Sequence, residues 1–253
     1  MAVRRMAERN GKAFSRLRRA GWEALVVATF TAGCGHRGDA QRPRDQPIEL
    51  LVANDPETLD PRYVTDAVGM RATRLVHAGL VRLDPDTLAP VPYLARNWRW
   101  LDPMTLEIEL RDDVRFHSGA PLRARDVVET LRAFASPAVA SRHASVVEAI
   151  AGANEQGDHV VVVRLARPHA TLLTDLELPI LRADQAMSPP APDGSLDGLG
   201  PYAVERAARG EVRLAPAVAG ALPRPARAVT LRVVHDENAR ARFASKPDAP
   251  MWR

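Results

Sequence analysis

One six-residue segment constrains the fold more strongly than any other part of this sequence. From Thr105 to Leu110, polar and apolar residues alternate without interruption, in the order Thr-Leu-Glu-Ile-Glu-Leu. Successive side chains of a β-strand point to opposite faces of the sheet, so Leu106, Ile108 and Leu110 share one face. The pattern predicts a strand whose leucine and isoleucine side chains face a core and whose glutamates face solvent.

Apolar residues recur at helical spacing in two longer segments. Residues 64–80 and 124–134 place valine, leucine or phenylalanine at spacings that favour amphipathic helices. Asp126 lies in the first turn of the second segment, where the helix dipole stabilises a carboxylate. A shorter helix is predicted at 171–176.

Short apolar runs bounded by turn-forming residues predict the remaining strands. The cluster Asp-Pro-Asp-Thr at 84–87 separates 80–83 from 90–94 and favours a hairpin. Residues 114–116 are expected to pair with the alternating strand or with a neighbouring segment. The other predicted strands are 48–53, 160–165, 198–204, 212–214 and 229–234. Strands and helices mix without a regular βαβ repeat, so the predicted fold class is α/β with a mixed sheet.

The beginning of the chain has the build of an export signal. A basic stretch to Arg19 is followed by an apolar run at 24–32, which is much shorter than the ~20 residues that cross a bilayer. The run ends in Thr-Ala-Gly-Cys at 31–34, which resembles the lipid-attachment site of bacterial lipoproteins. Cys34 is the only cysteine, so no intrachain disulfide can form. We predict a signal peptide at 1–33 and lipid attachment at Cys34, the alternative being a secreted protein in which Cys34 has no role.

The positive charge of the chain is confined to this leader. Residues 1–33 hold seven Lys or Arg and two Glu, which gives them a formal net charge of +5. Because the whole chain has a formal net charge of +4, residues 34–253 together have a net charge of −1. A body of balanced charge offers no positive surface to a polyphosphate, which disfavours a nucleic-acid partner. Residues 34–47 are polar and contain Gly and Pro, and they predict a flexible tether to a body that begins at 48.

Motifs for catalysis and for metal binding are missing from the sequence. It contains no Gly-x-Ser-x-Gly elbow, no His-Glu-x-x-His pair and no Gly-rich phosphate loop. The histidines are scattered without the spacing typical of metal ligands. An enzyme is therefore disfavoured, and no catalytic residue, metal site or cofactor is predicted.

Several stretches form a set of motifs when they are taken in order along the chain. The strongest block combines Pro-Tyr-Leu-Ala-Arg-Asn-Trp at 92–98 with 105–127, which contains Leu-Arg, Phe-His, Gly, Pro-Leu and Asp-Val in succession. Further motifs are Leu-Asp-Pro at 59–61, His-Ala-Gly-Leu-Val at 77–81, Gly-Leu-Gly-Pro-Tyr at 198–202 and Val-Val-His-Asp-Glu-Asn-Ala-Arg at 233–240. As a set, these motifs resemble the family 5 solute-binding proteins that serve ABC importers of peptides, nickel and opines, and the resemblance covers residues 48–240.

The resemblance implies a periplasmic-binding-protein-like (type II) architecture, in which two α/β lobes close around a solute and deliver it to a membrane permease. Residues 48–240 are expected to form the N-terminal part of such a domain. Because 241–253 depart from the family pattern and family members are commonly twice as long, the second lobe is expected to be missing through truncation or frameshift. The alternative is a residual, non-functional fragment that binds no ligand.

The resemblance also implies partners and a binding site. The expected partners are a small peptide or similar solute, the ABC permease subunits and the membrane, which is reached through the lipid anchor at the periplasmic or extracytoplasmic face. Asp55, Glu57 and Thr58, beside the Leu-Asp-Pro loop, are the predicted ligand-lining residues, and Tyr202 is a further one. The alternative for all four is a role in shaping turns and core.

Overall fold

The computed structural model describes residues 46–218, 222, 223 and 225–244. The strands within these residues are β1 (Ile48–Val52), β2 (Val81–Leu83), β3 (Pro90–Pro92), β4 (Ala95–Asp102), β5 (Thr105–Leu110), β6 (Ile150–Glu155), β7 (Val160–Leu165), β8 (Tyr202–Ala208), β9 (Glu211–Pro216) and β10 (Val229–Val233). The helices are α1 (Ala67–Val76), α2 (Ala124–Ala135), α3 (Leu172–Asp175) and α4 (Glu237–Ala244), with a 3₁₀ helix at Ala144–Val147. The predicted signal peptide at 1–33, Cys34, most of the 34–47 tether and the end of the 241–253 tail lie outside the described residues.

An antiparallel sheet in the order β4-β5-β7-β6 carries the larger of two cores. On β5, Leu106, Ile108 and Leu110 are at most 1% exposed, and the glutamates between them lie on the opposite face, where they bond Arg99 and Asn97. The predicted strand and its buried face are confirmed. Burying each of the three apolar side chains stabilises the fold by roughly 1.5–3 kcal/mol.

The predicted helix at 124–134 is confirmed as α2, which packs its apolar face into the same large core. Asp126 in its first turn accepts the backbone N–H groups of Arg123 and Ala183, each at 2.8 Å. Burial raises the pKa of Asp126, and the two donated hydrogen bonds oppose that rise. Thr130 accepts the N–H of Leu181 at 2.9 Å, so α2 is tied at two points to the chain that follows α3.

A second sheet in the order β1-β10-β9-β8 carries the small core. β1 and β10 run parallel, and β9 is antiparallel to both β10 and β8, so this sheet is mixed, as predicted. α1 contributes Ala72 and Val76 to the small core, which they share with Leu214 and Leu231 of the strands. The opposite face carries charged residues, including Arg232 in reach of Glu49 and Glu211.

Several predicted boundaries differ from the structure. The helix expected at 64–80 is limited to α1, because Asp66 caps its start by accepting the N–H groups of Val68 and Gly69, and the backbone turns extended at His77. Of the two partners expected for residues 114–116, the structure shows the neighbouring segment, with Arg115 opposite Pro121.

The strand expected at 198–204 begins only at Tyr202, because the residues before it are wedged against the end of α1. A Cβ on Gly198 would lie 2.2 Å from the carbonyl oxygen of Val76, and one on Gly200 would lie 2.3 Å from that of Leu75. These contacts fix 198–200 as a close-packed segment outside the sheet.

In the described part of the chain, none of the helices combines the length and the apolar character needed to cross a bilayer.

Candidate ligand-binding site

Three of the four predicted ligand-lining residues follow β1 directly. Asp55 is half-buried, Glu57 is exposed and Thr58 is half-buried. Since β1 and β10 are parallel neighbours, the loop after β1 and the chain after β10 leave the sheet at the same end. Ligands of open α/β sheets bind in the crevice outside the carboxyl ends of the strands. We call the residues 53–58, 209–210 and 234–236 at this end the carboxyl edge.

Backbone and side-chain hydrogen bonds join the three segments of the carboxyl edge. The Oδ1 atom of Asp55 accepts the N–H of Gly210 at 2.7 Å, and the Gly210 carbonyl accepts the N–H of Val233 at 2.9 Å. Gly210 has a φ of +84°, a conformation that glycine adopts without strain, so it can turn the chain between β8 and β9. A ring nitrogen of His235 lies 3.1 Å from the carbonyl oxygen of Ala53. The loop after β1 is thus held from two sides.

Asp66 holds the same loop from the helix side. One of its carboxylate oxygens caps α1, and the other accepts the N–H of Glu57 at 3.1 Å. The hydroxyl of Thr58 accepts the N–H of Asp60 at 3.0 Å. With its backbone fixed in this way, the loop presents the exposed Glu57 side chain to solvent without a rearrangement.

The carboxyl edge and the start of α4 are rich in carboxylates. Asp236 and Glu237 are exposed beside the loop that carries Asp55 and Glu57, so four acidic side chains belong to this region. Two guanidinium groups also belong to it, Arg209 and Arg240, and that of Arg240 donates to the carbonyls of Val234 and His235. The acidic excess makes this region suited to a cationic group on a ligand.

Tyr202 does not belong to this arrangement. It is the first residue of β8 and lies opposite Pro216, whereas the Gly210 turn bonded by Asp55 lies past the other end of β8. Six residue rises of ~3.3 Å separate the two ends, which is about 20 Å. Tyr202 is 7% exposed and packs in the small core, where burial raises the pKa of its hydroxyl.

The Leu-Asp-Pro loop beneath the carboxyl edge is buried structure. Arg62 donates to both carboxylate oxygens of Asp60, and its guanidinium also reaches the carbonyls of Ala186, Ser188 and Pro189 at 2.8–3.2 Å. The N–H of Ala191 donates to Asp60 at 3.0 Å. This network anchors the chain at 186–191 under the loop that carries Glu57 and Thr58.

Residues missed by sequence reasoning are those that position the loop, above all Asp66 and Gly210. Asp66 stands just before a helical pattern, a position typical of an N-cap, and that signal was available in the sequence. Nothing local indicates that Gly210 meets Asp55, because they lie 155 residues apart.

A groove of about 430 Å³ lies between α2 and β6 and contains none of the four predicted residues. Within the described ranges, no three His, Cys, Asp or Glu residues come together as metal ligands could.

Both the sequence and the fold of this chain are similar to those of known proteins. The family model described as "Bacterial extracellular solute-binding proteins, family 5 Middle" matches residues 89–248. Protein XP55 of Streptomyces lividans is 28% identical over 233 residues, which are 86% of this chain and 42% of that protein. The Dipeptide-binding protein of Lactococcus lactis subsp. cremoris is 25% identical over 122 residues, which are 48% of this chain and 22% of that protein.

Solved structures share the fold over most of this chain. NikZ from Campylobacter jejuni, in complex with Ni(L-His), has a TM-score of 0.70 at 25% identity and aligns over 79% of this chain and 41% of its own. The oligopeptide-binding protein AppA from Bacillus subtilis, in complex with a nonapeptide, has a TM-score of 0.71 at 22% identity. The alignment covers 79% of this chain and 42% of AppA. The chain thus spans about two-fifths of the length of these proteins, and the predicted periplasmic-binding-protein-like α/β lobe is confirmed.

Proposed function

Because this chain belongs to family 5 of the bacterial extracellular solute-binding proteins, we propose that it is the substrate-binding component of an ABC importer and that its solute is a short peptide. The observation that carries the proposal is the carboxyl edge. It combines a backbone loop held by Asp55, Asp66 and Gly210 with exposed carboxylates around it.

The charge of the carboxyl edge favours a peptide over a purely anionic solute. A peptide has a protonated α-amino group, from which the exposed carboxylate of Glu57 can accept a charge-assisted hydrogen bond. The loop at 53–58 lies outside the helices and strands, so it also offers backbone groups for pairing with the peptide main chain. Asp55, Glu57 and Thr58 are the proposed ligand-lining residues, and the position of Tyr202 in the small core favours a structural role for that side chain.

The proteins that share this fold also support a peptide. AppA from Bacillus subtilis was solved with a nonapeptide, and the relative from Lactococcus lactis is named a Dipeptide-binding protein. NikZ holds Ni(L-His), and the structurally similar AgaA from A. tumefaciens R10 holds agropinic acid. A nickel chelate and an opine are therefore the two other solutes to be tested. We propose that this chain binds and delivers its solute without catalysis and without a cofactor.

The proposed location is the extracytoplasmic face of the membrane, in the periplasm where the cell has one. The basic leader and short apolar run of 1–33 support export, and Cys34 is the proposed site of lipid attachment. A lipid-anchored binding protein stays close to the membrane, where its partner is the ABC permease. The proposed partners are thus the membrane, through the lipid on Cys34, and the ABC permease, and no nucleic acid is among them.

Calorimetric titration of the full chain tests the proposed solute. Trialanine is titrated beside N-acetyl-trialanine, and nickel-histidine and agropinic acid serve as the competing solutes. We expect the free amine to bind more tightly than the acetylated peptide by about tenfold, which corresponds to ~1.4 kcal/mol. Glu57→Gln should reduce the affinity for the free amine and leave that for the acetylated peptide unchanged. Glu155→Gln, at an exposed glutamate of β6, is the matched control and should change neither affinity.

The competing outcomes of this titration are distinct. Tighter binding of nickel-histidine or agropinic acid than of any peptide would replace the peptide as the solute. Heat from none of the solutes would favour a residual fragment that binds no ligand. Equal affinity of Glu57→Gln and the wild-type chain for the free amine would remove Glu57 from the site.

A further inference from the structure

His77 lies at the boundary between the two cores. The residue before it, Val76, belongs to the small core, and the residue after it, Ala78, belongs to the large core. The side chain is 2% exposed, and neither ring nitrogen has a hydrogen-bond partner within the part of the chain that the structure describes. An imidazole that is buried without partners is rare, because burying a polar group without a hydrogen bond costs free energy.

The groups that face His77 are committed to other partners. Asp60 is bonded to Arg62, and Asp197 is bonded to Arg182 at 2.8 Å. The third neighbour is His117, whose Nε2 atom lies 2.9 Å from the carbonyl oxygen of Gly200. Each of these three groups is therefore bonded to a partner other than His77.

Protonation of His77 is opposed by its surroundings. Burial, followed by the adjacent His117, lowers the pKa of His77 to about 4, and the charges of Asp60 and Asp197 offset only part of that shift. At neutral pH the His77 ring is therefore uncharged.

The chain beside His77 is closely packed. The N–H of Gly200 donates to the Val76 carbonyl at 2.8 Å, and the N–H of His117 donates to the Gly198 carbonyl at 2.9 Å. A Cβ on Gly198 would also lie 2.7 Å from the imidazole of His117, so the segment 198–200 is packed tightly against both the end of α1 and the His117 loop. A displacement of this segment would break both of these hydrogen bonds, one of them at the residue that precedes His77.

We propose that His77 is an acid-sensitive latch between the two cores, which is closed while the ring is neutral and opens when the ring takes up a proton. In the open state the imidazolium is hydrated and 198–200 no longer bond Val76 and His117. The free energy that holds the latch shut is fully present above the ordinary histidine pKa of about 6.5 and is lost as the pH falls toward 4. The proton that opens the latch comes from the solvent, and no bond other than N–H forms or breaks.

Hydrogen exchange of the full chain between pH 8 and pH 5 tests the latch. Exchange rates are first corrected for the intrinsic pH dependence of the amide. We expect the opening constant reported by the Gly200 and His117 amides to rise about 30-fold at pH 5, while amides in β5 keep their protection. His77→Gln cannot take up the proton and should remove that rise, whereas His169→Gln, at a histidine bonded to Asp175 of α3, should leave it in place.

Two results would overturn the proposal. One is a pH-dependent rise in opening that is the same in His77→Gln and in the wild-type chain, and the other is a wild-type chain whose Gly200 amide keeps full protection at pH 5. Should His77→Gln fail to fold, NMR titration of the His77 ring in the wild-type chain decides the matter. A ring pKa near 4 supports the latch, and one at or above 6.5 contradicts it.

Discussion

The Arg62 guanidinium and the Asp60 carboxylate form a two-pronged ion pair, with N···O distances of 3.0 and 2.6 Å, in which neither side chain has any exposed surface. The remaining guanidinium N–H groups donate to the carbonyls of residues 186–189, so each charge is compensated by partners fixed in the fold. Removing either partner would leave the other charged, buried and unpaired.

Replacement of Arg62 is expected to be among the most damaging single changes in the described part of the chain. Arg62→Leu should lower the free energy of unfolding by about 3–5 kcal/mol, because the carboxylate of Asp60 loses its partner. Arg62→Lys should recover only part of this loss, since an ammonium cannot make the two-pronged contact. Urea denaturation measures both effects, with Arg99→Leu at an exposed ion pair as the control, which should cost less than about 1 kcal/mol. An Arg62→Leu chain as stable as the wild type would contradict the assignment.

The two faces of β5 are expected to respond very differently to alanine. Leu106→Ala opens a cavity in the large core and should cost about 2–5 kcal/mol, whereas Glu107→Ala removes only an exposed ion pair with Arg99 and should stay within about 1 kcal/mol. Thermal or urea unfolding of the two variants is sufficient to compare them. Similar losses at both positions would refute the division of β5 into a core face and an outer face.

The close approach of 198–200 to α1 predicts a large effect from one added methyl group. Gly198→Ala would place its Cβ 2.2 Å from the Val76 carbonyl oxygen, and this clash can be relieved only if the backbone shifts. We therefore expect the free energy of unfolding to fall by about 1–3 kcal/mol. Gly152→Ala is the matched control, because a Cβ there meets nothing within 4 Å and should change stability by less than about 0.5 kcal/mol. Urea denaturation of the two variants measures both changes. Equal stability of Gly198→Ala and Gly152→Ala would contradict the close packing of 198–200 against α1.

The proposed anchor predicts where the protein is found in the cell. Cys34→Ala removes the thiol that would accept the lipid, and each buried CH₂ of an acyl chain contributes ~0.8 kcal/mol to membrane binding. The variant should therefore move from the membrane fraction to the soluble fraction. Retention of Cys34→Ala in the membrane fraction would show that the anchor is not at this residue.

The elements that were predictable from the sequence are those whose own residues carry the pattern. β5 alternates because one face is buried, and α2 has helical spacing because one face meets the large core. β4 was not predicted, because it is an edge strand whose exposed residues break the alternation, and β6 was not predicted, because Ala151, Gly152 and Ala153 carry no strand signal.

The candidate site was predictable only in part, for a similar reason. The loop at 55–58 was located through the motif beside it, and the structure places that loop at the carboxyl edge. Tyr202 was predicted as a further ligand-lining residue, and the pairing of β8 with β9 places it at the opposite end of the sheet from this loop. The contact of Asp55 with Gly210 depends on long-range topology and leaves no trace in the neighbouring sequence.

NMR titration of the full, isotopically labelled chain with trialanine at millimolar concentration reports both weak binding and its location, so it decides whether the carboxyl edge binds a peptide. We expect chemical-shift changes that saturate and that concentrate in the amides of 53–58, 209–210 and 234–236, with Glu57→Gln reducing them and Glu155→Gln leaving them unchanged. Shift changes centred elsewhere, such as the groove between α2 and β6, or an absence of any saturable change would contradict this expectation.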